Sequence, residues 1–300
     1  MSTGYDVVVV GGRVAGASTA LLLARAGVRV ALVDRAAYGT DTVSTHGLMR
    51  AGVLQLSRWG LLDEIVAAGT PPIRRTTFHY ADGESATVTI RPSSGVDALY
   101  APRRHIFDRI LADAAAEAGT QVRHEAIALL RDDSGRVSGV RVQDRSGRTA
   151  YLRAAITVGA DGVRSTVADK AEAAFTRRGH ARSAMLYRYY TDAQATGYEW
   201  AYGARAAGGF IPTNDGLTGV FVGTTPAQLR TLRRDGIEHA FATLLAGSAP
   251  HLAEKVAAAE PVGRMHGWAG VQGFVRRAWG PVGRWSGMPA TSRIRSPHTV

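Results

Sequence analysis

A strand, a glycine-rich turn, a helix and a second strand follow one another directly over residues 5–34. Residues 5–10 are rich in valine, which is typical of a strand buried on both faces of a parallel sheet. Residues 17–26 hold strong helix formers and stop at Gly27, and residues 28–33 predict a second strand that closes with Asp34. The pattern predicts a β-α-β unit of a parallel α/β sheet.

The turn in this unit has the residues that a dinucleotide phosphate requires. Gly11 permits a tight exit from the strand, Gly16 lets the helix pack close to the sheet, and Asp34 lies where a carboxylate bonds ribose hydroxyls. The helix N-terminus offers free N–H groups and the positive end of its dipole. The candidate cofactor-binding residues here are Gly11, Gly12, Arg13, Ala15, Gly16, Asp34 and Arg35.

One position departs from the usual glycine fingerprint. Arg13 takes the place of the middle glycine, where phosphate approaches the backbone. Its side chain either crowds the phosphate or folds out and pairs with it through the guanidinium. NAD and FAD both fit such a unit, so later segments must decide between them.

Two later segments resemble the class A flavoprotein monooxygenases, the family of para-hydroxybenzoate hydroxylase. Residues 41–62 contain Arg50 at the place where that family brings an arginine onto the flavin and its pyrophosphate. Arg104, Phe107 and Leu111 match an arginine followed by two apolar helix positions, and the family's residue there reaches the ribityl and phosphate region of FAD. The resemblance implies cofactor contacts for Arg50 and Arg104; a solvated position is the alternative for Arg104.

The most specific of the three resembling segments is Gly-Ala-Asp-Gly-Val-Arg-Ser at residues 159–165, directly after an apolar strand. It is similar to the family's Asp-Gly motif, which implies that Asp161 and Gly162 lie near FAD and that the loop affects NAD(P)H binding. Ser165 is placed to cap the short helix that follows. A generic strand-to-helix turn is the structural alternative.

The resemblance implies an α/β fold: a Rossmann-type FAD-binding parallel sheet with an inserted β-meander, and a second, antiparallel-sheet substrate domain. Turn signals at 133–135 and 145–147 fit the meander. The second domain is expected to contain strands at residues 183–190, 198–202, 208–212 and 217–222. One long helix is expected to follow them at residues 225–245. The predicted boundaries are 1–174 for the FAD domain, 175–268 for the substrate domain and 269–300 for a return to the FAD domain.

Aromatic residues cluster in the predicted second domain, where they line an apolar substrate pocket or pack the sheet; for any single residue packing is favoured. For His46 a structural loop position is favoured over a place beside the flavin. The nine histidines show no metal-ligand spacing, so no metal is expected. The clustered aromatics are Tyr187, Tyr189, Tyr190, Tyr198, Trp200, Tyr202 and Phe210.

The resemblance requires one more strand and helix, carrying Gly-Asp-Ala, after residues 275–279. From about residue 281 the sequence is instead aberrant, without periodicity or an acidic residue. Read from the third base of GC-biased codons, residues 284–299 can give Leu-Val-Gly-Asp-Ala-Gly-Tyr-Phe-Lys-Asp-Pro-Leu-Thr-Ala-His. This predicts a frameshift near residues 280–283, a sheet that lacks one element, and weak FAD binding. The nucleotide sequence tests the reading frame.

Composition excludes several classes of function. Cysteine is absent, so disulfides, thiolate metal sites and a cysteinyl flavin link are excluded. The net charge of +11 comes from dispersed arginines without a basic run, which argues against a nucleic-acid partner. Residues 7–10 are too short for a signal peptide or a membrane span, so no membrane association and a cytoplasmic location are expected.

The function implied by the resemblance is monooxygenation of an aromatic or other electron-rich small molecule with FAD, O2, and NADPH or NADH as reductant. A prenyl reductase or a halogenase of the same fold is the enzyme alternative, although a halogenase should show Trp-x-Trp-x-Ile-Pro and only Ile211 and Pro212 are present. The non-enzyme alternative is a nucleotide-binding module or an inactive pseudogene product. The sequence assigns no catalytic base, substrate or oligomeric state.

Overall fold

The computed structural model describes residues 4–144, 146–280 and 283–285. The chain forms two compact units. Among the described residues, unit 1 comprises residues 4–41, 104–144, 146–179, 273–280 and 283–285, and unit 2 comprises residues 42–103 and 180–272. The helices in chain order are α1 (Val14–Arg25), α2 (Arg50–Trp59), α3 (Leu62–Ala67), α4 (Arg104–Glu117), α5 (Thr166–Lys170), α6 (Pro226–Leu232), α7 (Ile237–Ser248) and α8 (Pro250–Ala257).

Most strands belong to one large sheet in each unit. In chain order they are β1 (Gly4–Val10), β2 (Val30–Asp34), β3 (Arg75–Tyr80), β4 (Ser85–Thr89), β5 (Gln121–His124), β6 (Ala126–Arg131), β7 (Val137–Gln143), β8 (Thr149–Gly159), β9 (Phe175–Arg178), β10 (Ala184–Thr191), β11 (Tyr198–Tyr202), β12 (Ala207–Pro212), β13 (Thr218–Thr224), β14 (Glu260–Trp268), β15 (Phe274–Arg276), β16 (Trp279–Gly280) and β17 (Gly283–Trp285).

Unit 1 has the predicted Rossmann-type sheet. Its main path is β16-β17-β8-β1-β2-β5, in which β1 pairs in parallel with both β2 and β8. Strands β6, β7 and β8 form the predicted antiparallel meander. The valines of β1 are buried on both faces, with Val8 and Val9 fully inaccessible, so the valine-rich pattern was correctly interpreted as a central parallel strand. The α/β fold prediction is confirmed.

Unit 2 contains a sheet in the order β14-β10-β13-β12-β11-β3-β4. Its neighbours are antiparallel except for β11 and β3, which run in parallel. Helices α7 and α8 cover one face, where Phe210, Leu245 and Leu252 are almost completely buried. This sheet confirms the predicted second domain with its antiparallel strands.

The extent of the second unit differs from the prediction. Residues 42–103 were assigned to the FAD domain, but they lie in unit 2, where β3 and β4 extend the sheet beyond β11. The predicted helix over 225–245 is also interrupted: α6 ends at Leu232 and α7 begins at Ile237. Gly236 between them has φ of 106°, a left-handed backbone that an α-helix does not admit.

The end of the described chain corrects a further expectation. The sheet was expected to lack a strand after residue 279, whereas β17 pairs in parallel with β8 through Arg284–Val158 and Trp285–Gly159. The frameshift is predicted near residues 280–283, and the Gly-Asp-Ala motif belongs to the second-frame reading of residues 284–299. Residues 281–282 and 286–300 lie outside the described residues. Among the described helices, none has the length and apolar character needed to cross a membrane.

Candidate functional site

The glycine-rich turn of unit 1 is packed too closely for side chains at two positions. Gly11 has φ of 105°, and a Cβ there would lie 2.4 Å from the carbonyl oxygen of Ala160. A Cβ on Gly16 would lie 1.7 Å from the carbonyl oxygen of Gly11. Both contacts are with backbone atoms, so neither can be relieved by a side-chain rotation. The two glycines therefore bring β1, α1 and the segment after β8 together.

The first turn of α1 is open to an anion. The helix begins at Val14, its N-cap residue Arg13 makes no side-chain capping bond, and no acidic residue lies in the first turn. The N–H groups of Val14, Ala15 and Gly16 precede the first i to i−4 bond, which Ala17 N–H donates to the Arg13 carbonyl. This donor set and the helix dipole fit the diphosphate of a dinucleotide.

Asp34 ends β2 beside this turn. Its Oδ2 accepts the Gly12 N–H, and its Oδ1 accepts the Ala36 N–H at 2.6 Å. A carboxylate has about four acceptor positions, so the two oxygens can still accept ribose hydroxyls. A depression that includes Asp34, Arg13 and His124 adjoins the carboxylate. Asp34 thus fits the predicted ribose contact, while Arg35 after it has an exposed side chain.

Arg13 and Arg104, predicted separately, are joined by a residue that the sequence did not single out. Arg13 donates to Asp108 Oδ2 at 2.7 Å and to the Thr40 carbonyl at 2.7 Å. Arg104 donates to the same carboxylate through Nε at 2.9 Å and NH2 at 3.1 Å. Asp108 is buried. The Arg13 side chain therefore folds out of the turn, and an Arg13–Asp108–Arg104 cluster lies beside it.

The Asp-Gly loop lies against the glycine-rich turn through the contact of Gly11 with Ala160. The carboxylate of Asp161 accepts the Ser165 hydroxyl and, at 3.1 Å, the Val167 N–H. Ser165 accepts the Ala168 N–H at 2.9 Å, so the predicted helix cap is confirmed. Gly162 has φ of 85°, which explains the glycine in this turn. The hydrogen bonds of Asp161 therefore hold the Asp-Gly loop in its conformation.

Arg50 lies in unit 2, at the start of α2. Its guanidinium donates to the carbonyls of Arg91 at 2.6 Å, Val96 at 2.8 Å and Ser93 at 3.4 Å. These bonds fasten the 91–96 loop to α2. The implied contact of Arg50 with the flavin stays a prediction.

An apolar pocket lies within unit 2, on the sheet face opposite α7 and α8. It is lined by Ser44, Thr45, His46, Met185, Tyr187, Trp200, Ile211, Gly219 and Phe221. Of the clustered aromatics, Tyr187 and Trp200 line this pocket, whereas Tyr190 and Phe210 pack in the core with α7. Alternation along the strands divides the aromatics between the two faces, so both roles that the sequence left open occur.

His46 is the buried polar residue of this pocket. It is 8% exposed, has φ of 59°, and its Nε2 lies 2.6 Å from the Tyr189 hydroxyl. The ring packs edge-on against Tyr187, with centroids 5.5 Å apart. His46 therefore has the structural role that the sequence favoured, and its residue also forms part of the pocket wall.

Comparison with known proteins gives a consistent family. The model of a family described as an FAD binding domain matches residues 4–254. A digeranylgeranylglycerophospholipid reductase of Methanopyrus kandleri is 33% identical over 172 residues, and a menaquinone reductase of Mycolicibacterium smegmatis is 34% identical over 171 residues. These matches cover 54% and 56% of this chain but only 39% and 40% of the relatives, so the chain spans about two fifths of their length.

Solved structures share the fold at low identity. The flavin-dependent brominase Bmp2 superposes with a TM-score of 0.80 at 19% identity, covering 96% of this chain and 72% of that one. The myxobacterial halogenase CndH gives 0.82 at 22%, covering 96% and 68%. PqsL of Pseudomonas aeruginosa, described as a probable FAD-dependent monooxygenase, gives 0.74 at 20%, covering 96% and 79%.

Proposed function

The chain belongs to the family of FAD-binding domains, and from this premise we propose that it is an FAD-dependent monooxygenase acting on an aromatic or other electron-rich small molecule. The observation that carries the proposal is the pocket of unit 2, whose wall combines Trp200, Tyr187 and Phe221 with the polar His46. Flat aromatic walls with a few polar groups are typical of sites that bind a planar ring.

In unit 1 the residues that fit FAD have separate tasks. The uncapped N-terminus of α1 would hold the diphosphate, and Asp34 would accept the ribose hydroxyls. Bound FAD, reduced by NADPH or NADH, supplies the electrons that activate O2 for transfer of one oxygen atom. The protein binds and orients the reactants.

In unit 2 the pocket orients the substrate and excludes water. The pair of His46 Nε2 and the Tyr189 hydroxyl, 2.6 Å apart, can hold or pass on a proton from a phenolic substrate. Buried positions of both side chains keep this proton away from bulk water.

The main competing function is reduction of a prenyl chain, because two of the curated relatives are named as a digeranylgeranylglycerophospholipid reductase and a menaquinone reductase. Halogenation is less favoured. In the alignment of Trp-x-Trp-x-Ile-Pro with Ile211 and Pro212, the second tryptophan falls on Gly209. A Cβ at Gly209 would lie 2.0 Å from the Glu199 carbonyl oxygen and 2.9 Å from the Phe221 ring, so β12 has no space for it.

The reaction is tested with FAD-loaded protein, NADPH or NADH, and a panel of hydroxylated benzenes and prenyl alcohols. A monooxygenase is expected to add 16 Da to an aromatic compound, with the oxygen derived from labelled O2. Anaerobic addition of 2 Da to a prenyl alcohol would replace this proposal with the reductase. A chain that binds no flavin at all would support the non-enzyme alternative.

Asp34→Ala is expected to weaken FAD binding about tenfold or more, because charge-assisted hydrogen bonds to the ribose are each worth about 1.5–3 kcal/mol. Flavin fluorescence titration measures the dissociation constant. Asp6→Ala is the control, since Asp6 lies at the start of the same unit and bonds the exposed Arg29 through its side chain and its backbone N–H. Equal affinities for the two variants would contradict the ribose contact.

Trp200→Ala is expected to raise KM for an aromatic substrate about tenfold or more while the FAD dissociation constant is unchanged. Removal of the indole takes away a buried apolar contact worth about 1.5–3 kcal/mol. Steady-state kinetics and FAD titration separate the two effects. Tyr151→Ala, which removes a 60% exposed ring from unit 1, is the matched control. An unchanged KM for Trp200→Ala would place the substrate elsewhere.

A further inference from the structure

Three residues that can bind a metal ion meet on the other face of the unit 2 sheet. His79 lies on β3, Glu199 on β11 and His251 on α8, and one ligand atom from each lies within 4.8 Å of the others. Glu199 and Trp200 are consecutive in β11, so their side chains point to opposite faces. Because Trp200 lines the apolar pocket, this cluster is separate from it.

The geometry of the cluster is near that of a bound ion. His79 Nε2 lies 3.1 Å from Glu199 Oε2, and the two imidazole centroids are 4.2 Å apart. Two ligands about 2.0–2.1 Å from a tetrahedral ion are about 3.4 Å apart. The His79–Glu199 distance of 3.1 Å is close to this value, and the ligand atom of His251 lies within 4.8 Å of both.

The charge of Glu199 also favours a cation. Its side chain is only 6% exposed, and a buried carboxylate needs a compensating positive partner. Lys255 supplies part of this charge, with Nζ 3.3 Å from Glu199 Oε1. The Lys255 side chain is 35% exposed, so it can swing into solvent when an ion replaces it.

We infer that His79, Glu199 and His251 form a binding site for a divalent transition-metal ion. Two imidazoles and one carboxylate, without thiolate, are ligands that suit Zn²⁺ and related ions. His251 is exposed, so the fourth position of the ion faces water. An ion here would tie α8 to β3 and β11.

The test uses the 300-residue chain, freed of metal with a chelator and titrated with Zn²⁺ by calorimetry at neutral pH. One ion per chain is expected. His79→Ala and His251→Ala should each weaken binding about tenfold or more. His239→Ala, which removes an exposed imidazole from the neighbouring helix α7, should leave it unchanged.

A variant that is expected to strengthen Zn²⁺ binding separates an effect on the ion site from damage to the fold. Lys255→Met removes the positive charge that competes for Glu199, so it should tighten Zn²⁺ binding. Zn²⁺ at about 100 times its dissociation constant should also multiply the folded-to-unfolded ratio about 100-fold, seen as a higher melting temperature. Absence of a single saturable site, or equal affinity in His251→Ala and the unsubstituted chain, would overturn the inference.

Discussion

Gly16→Ala should destabilise the chain by at least about 2 kcal/mol and abolish FAD binding. The new Cβ would lie 1.7 Å from the Gly11 carbonyl oxygen and 3.2 Å from the Ala160 Cβ, so α1 must move away from the turn. Overpacking costs about 1–3 kcal/mol and occasionally more, and a 1.7 Å contact with a backbone atom places the cost here at about 3 kcal/mol or above. After the gain of about 1 kcal/mol in helix propensity, a net loss of at least about 2 kcal/mol remains. Displacement of α1 also moves the N–H groups that face the diphosphate. Urea unfolding and FAD titration measure the two effects.

The matched control is a second glycine-to-alanine change within a helix. Gly52 lies in α2, where a Cβ would meet only Leu48 at 3.6 Å, an ordinary contact. Gly52→Ala is therefore expected to raise the free energy of unfolding by about 0.5–1 kcal/mol through helix propensity. If Gly16→Ala proved as stable as Gly52→Ala, that result would contradict the close contact between α1 and the turn.

The nucleotide-binding unit could be predicted because its determinants are local. Positive φ at Gly11, close packing at Gly16 and the carboxylate at the end of β2 each follow from residues within one β-α-β segment. The same holds for Ser165, whose cap is formed with Ala168, three residues away. The residues of short segments are therefore sufficient to predict these elements.

The pairing of strands that lie far apart in the chain had no comparable signal in the sequence. Strand β3 pairs in parallel with β11 through Thr76–Tyr198 and the residues that follow, and this pairing takes residues 42–103 into unit 2. A strand of mixed polar and apolar residues does not specify a partner strand so far along the chain. For the same reason the sequence did not predict that His79 and Glu199 lie next to each other.

Asp108 was missed for a different reason. The sequence presents it as one acid on an amphipathic helix, four residues after Arg104, which is typical of a solvated i, i+4 pair. In the structure its side chain is 8% exposed, and Arg13, 95 positions earlier, approaches from the glycine-rich turn. Only the packing of α1 against α4 converts a surface pair into a buried cluster.

Asp108→Asn is expected to lower the free energy of unfolding by about 3 kcal/mol. Breaking a buried ion pair costs about 3–5 kcal/mol because the remaining charge lacks compensation. Here the Arg13 and Arg104 side chains keep 28% and 17% exposure, and this contact with water places the loss at the lower end. Asp97→Asn is the control: its pair with Arg74 is more than half exposed on both sides, so no measurable change is expected.

A double-mutant cycle shows whether uncompensated charge is the cause. Arg104→Met leaves Asp108 with Arg13 as a single balanced pair, so its loss of stability should be smaller than that of Asp108→Asn. In Asp108→Asn both guanidiniums lose their carboxylate, and removal of one of them by Arg104→Met should then restore part of the stability. The combined variant is therefore expected to be more stable than the sum of the single losses predicts. Strict additivity would mean that Asp108 contributes through packing, and that Arg13 and Arg104 contact it without electrostatic coupling.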